Sequence, residues 1–336
     1  MKDLNFNCLV IETTDRCNAK CAMCYQAAGP RGSDIRGDYK LSLQTTRRVI
    51  DEAVTLDNLG NRIHIAGGES FLNYDEVVQI FRHAKLRGFR HIGAVTNAFW
   101  AKDDVTALSK CHELASVGAT YLEVSVDYWH LPYVSLERVR CLLRAARVSG
   151  LGLVLRTLTS RNHHLPELLS SFSAAELVDV KIGTSLYQPV GRGADEIDDT
   201  EVYYVAAPNG CCEDILNLTI APNGGVFPCC AGSEMTESLV LGNVNTNSLK
   251  DIMFRARTDY MVRSLIHRGP VELEELIKQL GLGDRLQPKH TSICHLCWDI
   301  FKDPVLSAAL RDHFNELHIA ALMKIASDAM SERASS

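Results

Sequence analysis

Nine of the twelve cysteines in this 336-residue chain fall into two groups, at 17–24 and 211–297. The first group is Cys17, Cys21 and Cys24, in the segment CNAKCAMC. Three thiolates this close can hold three irons of a [4Fe–4S] cluster and leave the fourth iron open to a further ligand. A zinc site with an unseen fourth ligand, or three reduced cysteines, are the alternatives. Structural zinc generally uses paired CxxC spacing and four protein ligands, which favours the cluster.

The second group consists of the adjacent Cys211 and Cys212, the adjacent Cys229 and Cys230, and Cys294 and Cys297 in a CxxC. Cys229, the two cysteines of the CxxC and one of Cys211 and Cys212 make four possible ligands. Four thiolates can hold an auxiliary iron–sulfur cluster or a structural zinc ion, and the spacing alone does not separate these two sites. In either case metal binding would stabilise this part of the chain.

The elements that must position the first group form an alternating pattern. Apolar, β-rich runs predict six strands, at 8–14, 62–66, 91–96, 121–126, 151–159 and 178–183. Amphipathic stretches between them predict five helices, near 42–58, 73–86, 102–117, 135–148 and 164–175. This alternation predicts a parallel sheet of the α/β class. Six units are too few for a closed eight-stranded barrel, so we expect a partial (β/α)6 barrel with its chemistry at the carboxyl ends of the strands.

The pattern changes after residue 184, which predicts a boundary between a domain at 1–184 and a C-terminal region at 185–336. The C-terminal region is predicted to contain a loop or linker, a hairpin and helices, at 185–212, 215–228, 248–266, 271–280 and 303–330. The hairpin prediction rests on two apolar runs that flank Pro-Asn-Gly-Gly.

The overall composition excludes several classes of protein. Apolar residues make up 46% and charged residues 23%, which excludes a disordered or collagen-like chain. The net charge of −6 argues against a broad nucleic-acid-binding surface. The sequence has no apolar run long enough to span a membrane and no export signal, so we expect a cytoplasmic protein. The isolated Cys8, Cys111 and Cys141 are expected to be buried small apolar residues.

The CxxxCxxC after the first predicted strand resembles the signature of radical S-adenosylmethionine (SAM) enzymes. The resemblance implies that the amino and carboxylate groups of SAM chelate the open iron. It also implies that cleavage of SAM releases a 5′-deoxyadenosyl radical, which takes a hydrogen atom from the substrate. Where the family usually has an aromatic residue before the third cysteine, this chain has Met23, and Tyr25 follows that cysteine. Both are candidates for contact with the cofactor.

The ends of the next strands carry further residues that resemble cofactor contacts of the family. Gly67, Gly68 and Glu69 follow the second predicted strand, where a family GGE binds the methionyl ammonium. A carboxylate and backbone carbonyls attract a cation, and glycine permits close approach. The resemblance also implies contacts to the ribose and amino acid moieties, and a partner for the cofactor carboxylate, from Asn97, Ser125, Asp127 and Arg156. The alternative is a tight turn and polar residues that cap loops.

The C-terminal region resembles the auxiliary-cluster domains of the SPASM and twitch types. The resemblance lies in Gly224-x4-Cys229, in the later CxxC and in the segment LGNVNTNSLKDIM at 241–253. A full SPASM domain holds two clusters and needs about seven cysteines, whereas only six follow residue 200 and two of these are adjacent. We therefore expect one auxiliary [4Fe–4S] cluster, with the ligands Cys212 (or Cys211), Cys229, Cys294 and Cys297.

Four segments together resemble the radical SAM peptide epimerases: PCC at 228–230, TNAFW at 96–100, SVDxxHxP at 125–132 and ICxxC at 293–297. The resemblance implies conversion of L-residues to D-residues in a ribosomally synthesised precursor peptide, with an electron donor such as flavodoxin or ferredoxin. It implies that Cys230 returns the hydrogen atom. Successive side chains on a strand point to opposite faces, so Cys230 should face away from the cluster if Cys229 binds it. Asp214 is the candidate for an acidic residue of the family, and another alignment puts Asn217 there.

Two other functions remain open at this point. A radical SAM maturase could instead close a thioether or carbon–carbon crosslink in a peptide. A protein of another class would bind zinc and act without catalysis as an interaction partner. Cys17 lies so near the start of the sequence that we expect no N-terminal peptide-recognition domain.

Overall fold

A computed structural model describes residues 4–205, 208–212, 217–229 and 236–335. Within these residues, nine strands form one sheet in the order β11-β10-β9-β1-β4-β5-β6-β7-β8, and β2 and β3 form a small separate hairpin. The strands are β1 Cys8–Glu12, β2 Ala28–Gly29, β3 Gly32–Ser33, β4 Arg62–Ala66, β5 His91–Thr96, β6 Tyr121–Ser125, β7 Gly152–Thr159, β8 Val180–Leu186, β9 Asn217–Ile220, β10 Gly225–Phe227 and β11 Gly242–Asn243.

The helices lie between these strands and after them. They are α1 Leu43–Ala53, α2 Tyr74–Leu86, α3 Asp104–Ser116, α4 Leu136–Val148, α5 Leu165–Leu169, α6 Ala174–Leu177, α7 Gly193–Glu196, α8 Leu249–Thr258, α9 Tyr260–Arg268, α10 Pro270–Gln279, α11 Ile293–Lys302 and α12 Pro304–Ser335. None of the helices in the described part of the chain has both the length and the apolarity needed to span a bilayer.

The predicted α/β fold with its six parallel strands is confirmed. The strands β1 and β4 to β8 pair in parallel, each with its neighbour in the chain order. Leu9, Ile11, Ile63 and Ile65 are fully buried between this sheet and the helices on its outer face. Each buried aliphatic side chain of this kind contributes about 1.5–3 kcal/mol. The opposite, inner face of the sheet therefore remains available for polar side chains.

The predicted hairpin at 215–228 is confirmed as β9 and β10, and it joins the barrel sheet. β9 pairs in parallel with β1, with Cys8 opposite Asn217 and Ile11 opposite Ile220. β10 then runs antiparallel to β9. Because of this order, the first residue of β9 and the last residue of β10 both lie toward the amino end of β1.

Some predicted helices differ from those observed. The helix predicted at 164–175 is two short helices, α5 and α6, because Ser173 caps a new helix by accepting from the Glu176 N–H. The helix predicted at 248–266 is divided at Asp259, whose carboxylate accepts from the Val262 N–H. The segment predicted as a loop at 185–212 contains α7 and a short 3-10 turn, Asp199–Glu201.

The C-terminal helices have an apolar core of their own. It contains Leu273, Leu296, Ile300, Phe301 and Leu306, each at most 1% exposed. The first turns of α12 pack into this core. This core holds α11, which carries the CxxC, against the end of the hairpin.

Candidate active site and cluster ligands

The CxxxCxxC segment is a compact loop that leaves the carboxyl end of β1. The Cys17 N–H donates to the Gly29 carbonyl at 2.9 Å, and the Cys24 N–H donates to the Cys21 carbonyl at 3.2 Å. Cys17 and Cys21 are buried, and Cys24 is half-buried. The three thiols lie close enough for their charges to interact, and all three line one cavity of about 270 Å³.

Burial is the main influence on these thiols. It raises the pKa of all three, to about 12 for Cys17. Metal binding must therefore displace their protons, since the thiolate is the ligand. Three convergent soft donors beside an open cavity fit a [4Fe–4S] cluster with one iron left free for SAM. No three His, Cys, Asp or Glu side chains in the described ranges are spaced to hold a single metal ion, whereas a cluster spreads its ligands around four irons.

The two glycines of GGE pack against the backbone that leads into the cysteine loop. A Cβ at Gly67, where φ is +137°, would lie 2.7 Å from the Thr14 carbonyl oxygen, and one at Gly68 would lie 2.3 Å from the Arg16 carbonyl oxygen. The Glu69 N–H donates to the same Arg16 carbonyl at 2.9 Å. Only glycine permits this approach, so the two glycines fix the position of Glu69 relative to the cysteines.

Glu69 is a buried acid with three donors. Its Oε2 accepts from the Asn97 N–H at 2.7 Å, and its Oε1 accepts from Thr96 Oγ1 at 3.0 Å and from the Phe71 N–H at 3.1 Å. Burial raises the pKa of Glu69 to about 7, and these hydrogen bonds oppose the rise. A cation bound in the cavity would favour the carboxylate, because a nearby positive charge lowers the pKa of an acid.

The residues predicted at the strand ends lie in the same cavity. Asp127, which is buried, accepts from the Trp129 N–H, the Leu158 N–H and the His130 imidazole, so it also organises the loop after β6. Asn97 donates to the Asn18 side chain at 2.9 Å. All nine residues predicted to bind the cofactor line this cavity: Met23, Tyr25, Gly67, Gly68, Glu69, Asn97, Ser125, Asp127 and Arg156. Their individual contacts with the cofactor remain predictions.

Arg156 has a protein partner that the sequence did not predict. Its Nε donates to Glu123 Oε2 at 2.7 Å. This bond uses one of the five donors of the guanidinium, so the other donors remain for the predicted interaction with the cofactor carboxylate.

A second cavity of about 450 Å³ continues from the first into the barrel. The two share Tyr25, Ser125 and Arg156 in their linings. Apolar and polar side chains both line the deeper cavity, and the polar or titratable ones include Cys8, Arg62, His64, Tyr121, Glu123 and Asn217. His64 Nδ1 lies 2.9 Å from the Tyr121 hydroxyl. The alternation of positions along β1, β4 and β6 was the available signal for this polar inner face.

Cys8 differs from the other two isolated cysteines. Cys111 and Cys141 are buried within α3 and α4, as predicted for small apolar residues. Cys8 is buried as predicted, but it also lines the deeper cavity. Burial raises the pKa of the Cys8 thiol to about 12, so the thiol is neutral there.

The four cysteines predicted to bind the auxiliary cluster converge. Burial, followed by the charges of Cys229 and Cys294, raises the pKa of Cys212 to about 12. Burial and the same neighbours raise the pKa of Cys297 well above its ordinary value. Cys294 and Cys297 lie three residues apart on α11, which puts both on one side of that helix. Cys211 is exposed and Cys212 is half-buried, which favours Cys212 as the ligand.

Two predicted catalytic residues, Cys230 and Asp214, lie outside the described residues. Asn217, the alternative to Asp214, is the first residue of β9 and lines the deeper cavity.

Comparison with known proteins identifies both parts of the chain. The model of the Radical SAM superfamily matches residues 11–146. The model of the iron-sulfur cluster-binding domain SPASM matches residues 211–298. The chain contains a Radical SAM domain and a SPASM domain. Its cofactors are accordingly SAM and a [4Fe–4S] cluster in the radical SAM domain, and an auxiliary iron–sulfur cluster in the SPASM domain.

YydG of Bacillus subtilis (strain 168), named as a peptide biosynthesis protein, is 21% identical over 306 residues, which are 87% of this chain and 91% of YydG. Native anSMEcpe with bound AdoMet has a TM-score of 0.53 at 12% identity, over 96% of this chain and 99% of that chain. BtrN in complex with AdoMet and 2-DOIA has a TM-score of 0.50 at 14% identity, over 81% of this chain and 91% of that chain. These two structures establish a shared fold.

Proposed function

We propose that this radical SAM protein is a peptide epimerase, which converts L-residues of a ribosomally synthesised precursor peptide to D-residues. The name of YydG supports a peptide as the class of substrate, since the two chains align over most of their lengths. The observation that carries the proposal is the continuous pair of cavities inside the barrel. They extend from the CxxxCxxC loop at one end of β1 toward Cys8 and Asn217 at the other.

The order of strands supports a thiol donor on the far side of the substrate. β10 runs antiparallel to β9, so Cys229, two residues after β10, follows the chain toward the amino end of the barrel strands. Cys230 is the next residue. A substrate in the deeper cavity would therefore have the CxxxCxxC loop toward one end and Cys229 toward the other.

When bound, SAM and the reduced cluster would supply the radical chemistry that removes one hydrogen atom from the Cα of the substrate residue. The Cα radical is planar and is stabilised by both flanking amides, so it has lost its chirality. Cys230 gives the hydrogen atom of its S–H bond to the opposite face of this centre and fixes the inverted configuration.

The balance of the reaction then requires one electron and one proton to restore the Cys230 thiol. A second electron is needed for the cleavage of SAM. An electron donor such as flavodoxin or ferredoxin would supply both electrons, and the SPASM cysteines would hold the cluster that relays one of them to Cys230. Asp214, or Asn217 in the other alignment, is the second candidate catalytic residue. Glu69 and the strand-end residues would hold SAM.

Incubation of the reduced holoenzyme with candidate precursor peptides in deuterium oxide tests the proposal. Hydrogen return from an exchangeable thiol adds one deuterium for each inverted residue, and chiral amino acid analysis detects the D-residue. A crosslinking maturase would instead remove two hydrogens from the peptide and leave its residues in the L-configuration. That outcome would overturn the epimerase proposal and leave the radical SAM assignment intact.

Cys230→Ala provides the matched test of the donor. The variant should keep both clusters and form 5′-deoxyadenosine, but it should not produce the D-residue. Epimerisation at the wild-type rate would refute the assignment of Cys230. Loss of an iron–sulfur cluster would identify Cys230 as a ligand instead of Cys229. The zinc-binding interaction protein is disfavoured by the matches to two iron–sulfur families.

A further inference from the structure

Arg192 is a buried arginine that packs against the cysteine loop, from the segment just before α7. Its side chain is 4% exposed. Nη1 donates to the Cys21 carbonyl at 2.9 Å, and Nη2 donates to the Ala28 carbonyl at 2.8 Å. The Arg192 backbone N–H donates to the Cys24 carbonyl at 3.1 Å. One residue thus binds the backbone of two of the three cysteines and of the turn that follows them.

The chain around Arg192 is fitted to the same loop. Gly191 has a φ of +58°, and a Cβ there would lie 2.0 Å from the Tyr25 carbonyl oxygen. The Tyr187 hydroxyl donates to the Gly193 carbonyl at 2.7 Å. These contacts hold the segment directly against the CxxxCxxC loop, so the guanidinium has little freedom to move away.

The charge of Arg192 acts on all three thiols. Burial raises the pKa of Cys17, Cys21 and Cys24, and the Arg192 charge opposes that rise in each case. Two carboxylates accompany the guanidinium: Asp34 at 2.9 Å and Glu196 at 3.8 Å. They are 57% and 47% exposed, so solvent screens their charge more than it screens the buried guanidinium.

We propose that Arg192 is a positioning residue for the radical SAM cluster, which fixes the backbone of its cysteine ligands and raises its reduction potential. Reduction adds a negative charge to the cluster, and a buried positive charge beside the ligands favours the more negative state. Groups that bind the ligands from outside the coordination sphere adjust a metal site in this way. The inference is independent of which reaction follows the cleavage of SAM.

The experiment is a redox titration of the reconstituted holoenzyme, followed by electron paramagnetic resonance, without SAM or peptide. Arg192→Gln should shift the midpoint potential of the radical SAM cluster to a more negative value and leave that of the auxiliary cluster unchanged. Arg192→Lys keeps the positive charge but loses the two guanidinium nitrogens that donate to the loop carbonyls. The midpoint potential of the radical SAM cluster in this variant should therefore lie nearer to the wild-type value. The matched control is Arg147→Gln, because Arg147 also donates to two carbonyls, of Glu176 and Val178, outside the cysteine loop.

Asp34, the exposed partner of Arg192, allows the effect of charge on the cluster to be tested without removing the contacts of Arg192 with the cysteine loop. Asp34→Asn removes a negative charge beside Arg192, so it should shift the same potential in the positive direction, by less than Arg192→Gln shifts it in the negative direction. Failure of Arg192→Gln to hold the cluster, with this positive shift in Asp34→Asn, would support both roles. A wild-type potential in a cluster-loaded Arg192→Gln, or no positive shift in Asp34→Asn, would overturn the electrostatic role.

Discussion

Replacement of Glu69 by glutamine should weaken the binding of SAM strongly while both clusters remain assembled. Burial raises the pKa of Glu69 from its ordinary value of 4.5 to about 7. At ~1.36 kcal/mol for each pH unit, this difference of about 2.5 corresponds to roughly 3 kcal/mol spent in ionising the buried acid. A cation that binds beside the carboxylate recovers most of this free energy. Loss of about 2–3 kcal/mol of binding corresponds to an affinity that is roughly 30- to 150-fold lower.

The pH dependence gives the sharper part of this prediction. The prediction takes the Glu69 carboxylate as the form that binds SAM, so below a pH of about 7, where burial raises the pKa of Glu69, the protein must first release the Glu69 proton. The affinity of the wild-type protein for SAM should therefore rise with pH up to about 7. Above that pH, ionisation of Glu69 should add no further rise in affinity. Glu69→Gln has no proton to release, so its affinity should lack this rise.

Equilibrium binding of SAM to the anaerobic holoenzyme between pH 5.5 and 8, with iron counting on each sample, measures both effects. Glu76→Gln is the matched control, since Glu76 pairs with Lys40 at the surface. A Glu69→Gln variant that binds SAM as tightly as the wild type, or that keeps the same slope with pH, would show that Glu69 supports a turn and does not bind the cofactor.

The remaining predictions concern the cluster ligands and the glycine contact. Alanine at any cysteine of the CxxxCxxC should remove about one cluster of iron and abolish the cleavage of SAM; normal cleavage would contradict the assignment of this loop. Gly68→Ala forces a Cβ toward the Arg16 carbonyl, at 2.3 Å, so SAM affinity should fall with iron content retained; unchanged affinity would show that the loop adjusts freely. Cys229→Ala should lose the auxiliary cluster in iron analysis, whereas Cys211→Ala should keep it, and the reverse result would exchange their roles.

The parallel sheet was predictable because buried strands are continuous apolar runs. β4 and β5 begin and end at the predicted residues, and β1, β6 and β7 differ from the prediction by at most two residues at one end. β8 begins two residues later and ends three residues later than predicted. Helix boundaries were less predictable, since single caps such as Ser173 and Asp259 divide amphipathic stretches that are continuous in the sequence. Such caps do not change the spacing of the apolar residues, so this spacing does not reveal where one helix ends and the next begins.

The residues of the candidate site also fall into those that the sequence predicts and those that it does not. Glycines, acids and cysteines at strand ends can be found from spacing, because the topology brings the carboxyl ends of parallel strands to one edge. Arg192 and His64 could not be identified from spacing, because their roles depend on tertiary contacts. Arg192 reaches the cysteine loop from more than 160 residues further along the chain, through carbonyl groups that every residue possesses. The polar lining around His64 depends on which face of the sheet turns inward.

The pairing of β9 with β1 determines how the two cysteine groups are placed. The CxxxCxxC loop begins at the carboxyl end of β1, and Cys212 precedes β9 at the amino end of the same pair. The five residues of β1 span roughly 13 Å between these ends, at ~3.3 Å for each residue. A substrate that reaches from one group toward the other must therefore occupy the barrel interior, where the deeper cavity lies. A slip of one residue between β1 and β9 would turn the inner side chains of β9 to the opposite face, so the register of this pair, more than any loop, sets the geometry between the two sites.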